Sequence, residues 1–228
     1  MIYLKPGMHL ALFDNSAIVL KVNEGEYIIY TEGIFQAIAK ELDSALPVFS
    51  TKEMDILHND GVISKSPESQ VNSAIYDYRN YNFNGFNSSS WGQRKLSSVD
   101  IKINASFRNV INIIMVCLTL KTCGFKSIQK LPRPFNSKAS RNNKSIIDIE
   151  DEVEKIHKAV LWSPFKIACL EWSLTIVKHF RKKGVNAKLV IGVRPIPFLA
   201  HAWPEIDGHV IADTQNLRKI FGVIYESL

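Results

Sequence analysis

The sequence predicts an α+β protein in two parts: a small winged-helix-like module, a three-stranded sheet plus helices, followed by a larger α+β domain. Two observations carry this. β-branched and aromatic runs separated by turn residues fill the first 31 positions, and helical-period stretches follow them. Further along, long helical-period segments give way after residue 184 to strand-type runs.

In the front module the strands are expected at 9–13, 17–22 and 26–31. They are separated by turns at Asp14-Asn15-Ser16 and Asn23-Glu24-Gly25. A helix over 34–42 places Ile34, Ile38 and Leu42 on one face, with Phe35 beside them. Ser50-Thr51-Lys52-Glu53 has the form of a capping box, opening a short helix that ends at Asn59-Asp60-Gly61. The module spans residues 1–65.

Residues 66–98 change to a Ser, Asn and Tyr composition without a clear period, which reads as a linker. Its aromatics, Tyr76, Tyr78, Tyr81, Phe83, Phe86 and Trp91, either grip a partner or pack on the second domain; packing is the simpler reading. The second domain, 99–228, opens with a helix over 105–122. The basic loop at 130–144 resembles a phosphate patch but lacks interleaved aromatics beyond Phe135, so a solvated loop is preferred. A helix over 149–162 follows. Another runs from Cys169 to Lys183-Gly184, where the glycine suits a C′ position and the basic last turn suits the negative end of the helix dipole. Strands are expected at 187–193, 199–206 and 209–212, the last two joined by a hairpin turn at Asp207-Gly208.

Composition bounds the function. The 228 residues are enough for one large domain or two small ones, and 46% are apolar. The longest apolar stretch, residues 110–120, is far short of the roughly 20 needed to span a bilayer. The first residues lack a secretory apolar core and cleavage site, so a cytoplasmic protein is expected. Three cysteines are too few for a disulfide framework. HExxH, GxxxxGK[ST] and GxGxxG are all absent, so no metal or cofactor is expected. Residues 1–80 carry net charge −5 and the remainder +11, a split that fits two modules with different partners as well as it fits solubility alone.

The chemistry-bearing residues lie in the rear domain. Cys169 follows Ser163-Pro164 at the opening of its helix, where free backbone N–H groups and the dipole stabilise a thiolate. His201 lies 32 residues on, in Ala200-His201-Ala202-Trp203-Pro204-Glu205, and Asp213 lies 12 further, a hairpin's length. Nucleophile, base and orienter in this order are the parts of a thiol site for acyl hydrolysis or transfer. The spacings also permit a buried structural cysteine and a surface histidine. Cys117 is mid-helix among apolar residues, which suits packing. Glu205 could replace Asp213 as orienter, but it stands four residues from His201 on the same strand, about 13 Å away.

At these residues the chain resembles the lasso-peptide maturation proteases, the B proteins of microcin-type lasso-peptide clusters, within the transglutaminase-like (papain-like) cysteine proteases. The resemblance rests on Cys169-Leu170 leading a helix, Gly184, Ile191-Gly192-Val193-Arg194, Pro197-Phe198, His201-Ala202-Trp203 and Val210-Ile211-Ala212-Asp213. In that family the histidine motif usually reads H-[AS]-W-V-E. Here Pro204 replaces the apolar residue and removes a strand N–H, which suggests an edge position.

The resemblance implies a function. The front module would be a RiPP recognition element that takes the leader of a precursor peptide as an added strand. The leader would lie against Tyr27, Ile28, Ile29 and Tyr30 and a groove that includes Met54 and Leu57. Cys169, His201 and Asp213 would cleave the leader–core junction. An ATP-dependent, asparagine-synthetase-like cyclase is the expected partner beside the precursor. Alternatives are a thiol acyltransferase, a catalytically inactive peptide-binding adaptor, or a nucleic-acid binder; the front module's net negative charge argues against the last.

Overall fold

The structure is a computed structural model describing residues 2–44, 51–64, 72–83, 106–132 and 146–227. The chain divides into two compact units. One comprises Met1–Asn84, Gly192–Ala200 and Phe221–Tyr225; the other comprises Gly85–Ile191, His201–Ile220 and Glu226–Leu228.

The first sheet has the order β3-β2-β1-β4, with β1 (Met8–Phe13), β2 (Ser16–Lys21), β3 (Glu26–Thr31) and β4 (Ala74–Asp77). β1 and β2 pair antiparallel from Met8↔Lys21 to Phe13↔Ser16, and β2 and β3 from Ser16↔Thr31 to Lys21↔Glu26. Burial follows position in the sheet. All six residues of β1 and five of β2 are buried, whereas the edge strand β3 is half exposed. β4 pairs parallel to β1, starting at His9↔Ala74, and lies inside the segment read as a linker.

α1 (Glu32–Asp43) buries Phe35 and Ile38, with Ile34 and Leu42 flanking them at the margin of the core, so the predicted stripe turns slightly toward Phe35. α2 (Thr51–Asn59) buries Leu57. These side chains join Leu4, Leu10, Leu12, Val19, Val62 and Ile63 in one apolar core. Ser50 of the expected capping box, Phe86, Trp91 and most of the 130–144 loop lie outside the described residues.

The aromatics of residues 76–83 pack within the first unit. Phe13 lies against Tyr78 and Phe83 at 5.7 and 5.6 Å between centroids, and Tyr81 against Phe83 at 4.7 Å. The Tyr78 hydroxyl donates to the Val223 carbonyl, 3.2 Å away. Gly222 is required here, because a Cβ would stand 2.8 Å from the Phe13 ring and 2.9 Å from Tyr78.

In the second unit, α3 (Phe107–Cys123) precedes a 3-10 segment, Phe125–Lys130. α4 (Ile146–Val160) and α5 (Cys169–Lys182) come next. α5 buries Ser173 through Val177 without a break, then Phe180 and Arg181, so its middle is enclosed on more than one face. It closes on Gly184 at φ 79°, the left-handed residue expected there. The buried Arg181 guanidinium ties the end of α5 to the Ala187 carbonyl at 2.6 Å, the Pro132 carbonyl at 3.1 Å and the Ser227 hydroxyl at 2.8 Å.

The second sheet has the order β7-β6-β5-β8, from β5 (Ala187–Arg194), β6 (Leu199–Ile206), β7 (His209–Val210) and β8 (Gly222–Glu226). β8 and the short α6 (Leu217–Ile220) are absent from the sequence expectation. β6 lies inside the sheet. Pro204 tolerates this because the β7 ladder covers only Glu205↔Val210 and Ile206↔His209, after which the Pro204 carbonyl accepts from the Ile211 N–H at 2.9 Å.

Candidate active site

Three local features build the site in the second unit. The first is the start of α5. Residues 163–168 are non-helical after the Ser163-Pro164 break, so the helix begins at Cys169 itself. Glu171 reaches back to the Ala168 N–H at 3.1 Å, one half of a capping box. Ser173, one turn into the helix and buried, places its hydroxyl 2.7 Å from the Cys169 carbonyl and 2.9 Å from the Ala202 carbonyl. That contact joins the cysteine's turn to the strand that bears the histidine.

The second feature is β6. His201, Trp203 and Glu205 alternate along it and so share one face. His201 is 4% exposed. The third is the turn that follows. Asp207 and Gly208 have φ of 50° and 81°, the left-handed pair of a type I′ hairpin. The returning strand stops at Val210, two residues earlier than the 209–212 run predicts, because Ala212 takes φ 60° and bends the chain. The bend brings Asp213 back to His201.

His201 Nε2 and Asp213 Oδ2 are 2.8 Å apart. The other carboxylate oxygen accepts the Thr214 N–H at 2.7 Å, which fixes the plane of the group. With Nε2 committed to the carboxylate, Nδ1 is the ring nitrogen left for the thiol. Burial pushes the Cys169 thiol up. A hydrogen bond to His201, a backbone hydrogen bond at Ala202 and the imidazolium charge outweigh it and hold the thiol below the usual cysteine range. For His201, burial acts downward, but hydrogen bonds to Asp213 and Cys169 and their charges hold the imidazole above its usual value. A lowered thiol and a raised imidazole favour a thiolate–imidazolium pair, a nucleophile and a proton donor in one site.

The structure therefore brings Cys169, His201 and Asp213 together. Glu205 is turned away from the histidine ring nitrogens: it accepts the Trp203 indole N–H at 2.7 Å and pairs with Arg218. Sequence reasoning did not find this use of Glu205, although its signal was the alternation of His201, Trp203 and Glu205. Cys117 is buried and Cys123 exposed; His209 is exposed. Among the described residues no group of three or more His, Cys, Asp or Glu side chains could hold a metal ion, and no helix is long and apolar enough to cross a membrane.

The residues expected to hold a leader strand lie in the first unit. β3 is the edge of its sheet; Ile29 is 42% exposed on it, and Tyr27 meets Phe198 at 5.5 Å between ring centroids. Ile28 and Met54 are partly buried against the core. Tyr30 and Leu57 are buried, the Tyr30 hydroxyl donating to Asp60 at 2.7 Å. These two support the edge from beneath and present little open surface.

A helix-opening cysteine and a strand-borne His–Asp pair in a mixed α+β chain are the parts from which a thiol site can be built. Residues 117–226 match the model of the Transglutaminase-like superfamily, so this region is transglutaminase-like. It is also 42% identical over 62 residues to the Microcin J25-processing protein McjB of Escherichia coli, a match covering 27% of this chain and 30% of that relative. The matched stretch thus spans less than a third of the curated relative's length. No solved structure matches the chain.

Proposed function

We propose that the chain is a leader peptidase of lasso-peptide biosynthesis, a cysteine peptidase acting on a ribosomal precursor peptide. The observation that carries the reading is the His201–Asp213 pair at 2.8 Å, with a lowered Cys169 thiol at the start of α5. The likeness to a microcin-processing protein supports the substrate class.

In this mechanism residues 1–65 take the leader along the β3 edge by main-chain pairing, at Tyr27 through Tyr30, with Met54 and Leu57 beneath. The Cys169 thiolate attacks the carbonyl carbon at the leader–core junction. The C–S bond forms while the carbonyl electron pair moves to oxygen, and backbone N–H groups at the start of α5 receive that oxyanion. Collapse breaks the C–N bond, and the His201 imidazolium gives its proton to the leaving amine. His201 then takes a proton from water, which attacks the thioester; the leader leaves with a free carboxylate and Cys169 returns as thiolate. The product core has a new amine for an ATP-dependent cyclase to join to a side-chain carboxylate. Asp213 holds the His201 tautomer throughout.

The test is mass spectrometry of the precursor peptide incubated with wild-type protein and with Cys169→Ala. A single cut at the leader–core junction that the variant abolishes supports the reading. A leader joined to an amine instead of water would make the enzyme an acyltransferase, and leader binding with no cut by wild type, alone or with the cyclase, would make it an adaptor.

A further inference from the structure

The carboxylate of Glu205 is 3% exposed, yet it contacts neither ring nitrogen of His201. Its Oε1 accepts the Trp203 Nε1–H at 2.7 Å and the Arg218 Nε–H at 2.8 Å, while Oε2 accepts from Arg218 Nη2 at 2.8 Å. Arg218 Nη2 also reaches Glu226 at 2.7 Å. A buried carboxylate is retained only where its lone pairs are met, and here a bidentate guanidinium and an indole N–H meet them.

Trp203 is fully buried, and its indole stacks on the His201 imidazole with 5.9 Å between centroids and 30° between planes. The hydrogen bond to Asp213 sets the direction of Nε2 but leaves the ring able to pivot about that bond. A large ring packed on its face removes the pivot, provided that ring is itself fixed. The Glu205 carboxylate fixes it: an indole N–H in a dry site with no acceptor would be driven toward another partner. Arg218–Glu205–Trp203–His201 is thus a line of contacts ending on the base.

We propose that Glu205 is a positioning residue for the triad, holding Trp203 so that the indole fixes the tilt of His201 toward Cys169. The inference rests on the triad reading, and its test separates the two. The rate of iodoacetamide alkylation of Cys169 is measured against pH in a Cys123→Ser background, since Cys123 is exposed. Alkylation follows the thiolate and needs no precursor peptide. The wild-type midpoint lies below that of an ordinary thiol.

Glu205→Ala and Trp203→Phe raise that midpoint by about one pH unit and slow alkylation on the acid side about tenfold. Glu205→Gln keeps an acceptor for the indole and stays within about twofold of wild type. Near-UV circular dichroism identifies the folded variants; should Glu205→Ala not fold, Trp203→Phe, which keeps a ring but loses the N–H, decides. Folded variants with the wild-type profile overturn the proposal and leave the triad intact. Glu205→Gln as impaired as Glu205→Ala also overturns it, by assigning the effect to the Arg218 ion pair. A wild-type midpoint equal to that of a free thiol sinks the triad reading and this inference with it.

Discussion

The Ser173 hydroxyl lies 2.9 Å from the carbonyl of Ala202, the residue next to His201, and 2.7 Å from the carbonyl of Cys169. One side chain thus spans the turn that carries Cys169 and the strand that carries His201. Ser173→Ala is expected to lower the cleavage rate about tenfold, since small misplacements of reacting groups are amplified in rate. Its stability loss should be only about 1 kcal/mol. Comparing kcat/KM with urea melting of the same variant checks this, and equal losses in both would leave only a packing role.

The paired shifts at Cys169 and His201 predict a bell-shaped pH profile for cleavage, and for alkylation, which needs only the thiolate, a rise on the acid side alone. Below the lowered Cys169 value the thiolate is protonated and attack fails. Above the raised His201 value the imidazolium loses the proton the leaving amine needs. Asp213→Ala removes an interaction that raises His201, so the alkaline limb should move to lower pH and the rate fall about a hundredfold. An unchanged alkaline limb would remove Asp213 from the site.

His9 carries a second, separable pH dependence. It is buried in β1 with the Tyr225 ring edge-on at 5.1 Å, and burial lowers it to about 4, a backbone hydrogen bond at Asn72 opposing. Between its ordinary value and about 4 the unfolded chain binds a proton that the folded one does not, so stability falls as pH drops through this window. The loss is roughly 2 to 4 kcal/mol by pH 4. His9→Phe should flatten the thermal-melting curve across this window, and a variant as acid-sensitive as wild type would refute the assignment.

Glu152 predicts the opposite end of the acid range. The Lys183 ammonium beside it lowers its carboxyl to about 2; burial opposes this, and His179 and Lys155 assist. A depressed carboxyl stabilises the fold above its ordinary value and loses that contribution as pH falls toward 2. Glu152→Gln should therefore cost about 1 kcal/mol at pH 7 and almost nothing at pH 2. Melting temperatures of the two proteins at both pH values test the convergence.

On the β3 edge, Ile29→Asp places a charge on an exposed apolar position of the proposed leader site. Leader affinity should fall about tenfold, while iodoacetamide alkylation of Cys169 is unchanged. Binding measured by fluorescence anisotropy of a labelled leader, beside that alkylation rate, separates loss of docking from loss of chemistry.

Much of this was legible in the residues. β1 to β3 announce themselves through apolar runs parted by turn residues, and α5 through Ser163-Pro164 before it and Gly184 after it. The candidate residues were legible by position: Cys169 opens a predictable helix, His201 lies within a predictable strand, and Asp213 follows the hairpin. β4 was not: four residues carry no period, and only pairing with β1, 65 residues back, makes them a strand. The early end of β7 depends on Ala212 in a left-handed conformation that alanine rarely takes. Glu205 was visible as a residue but not as a partner, because Arg218 meets it only after a hairpin and a bend.

Gly222 makes the first unit discontinuous in sequence. Its bare Cα lets residues 221–225 lie against Phe13 and Tyr78, so the front of the chain is completed by residues translated some 140 positions later. A fragment cut after residue 84 would expose Phe13 and Tyr78 to water and lack the Val223 acceptor. During synthesis, too, this packing has to wait until residues 221–225 have left the ribosome.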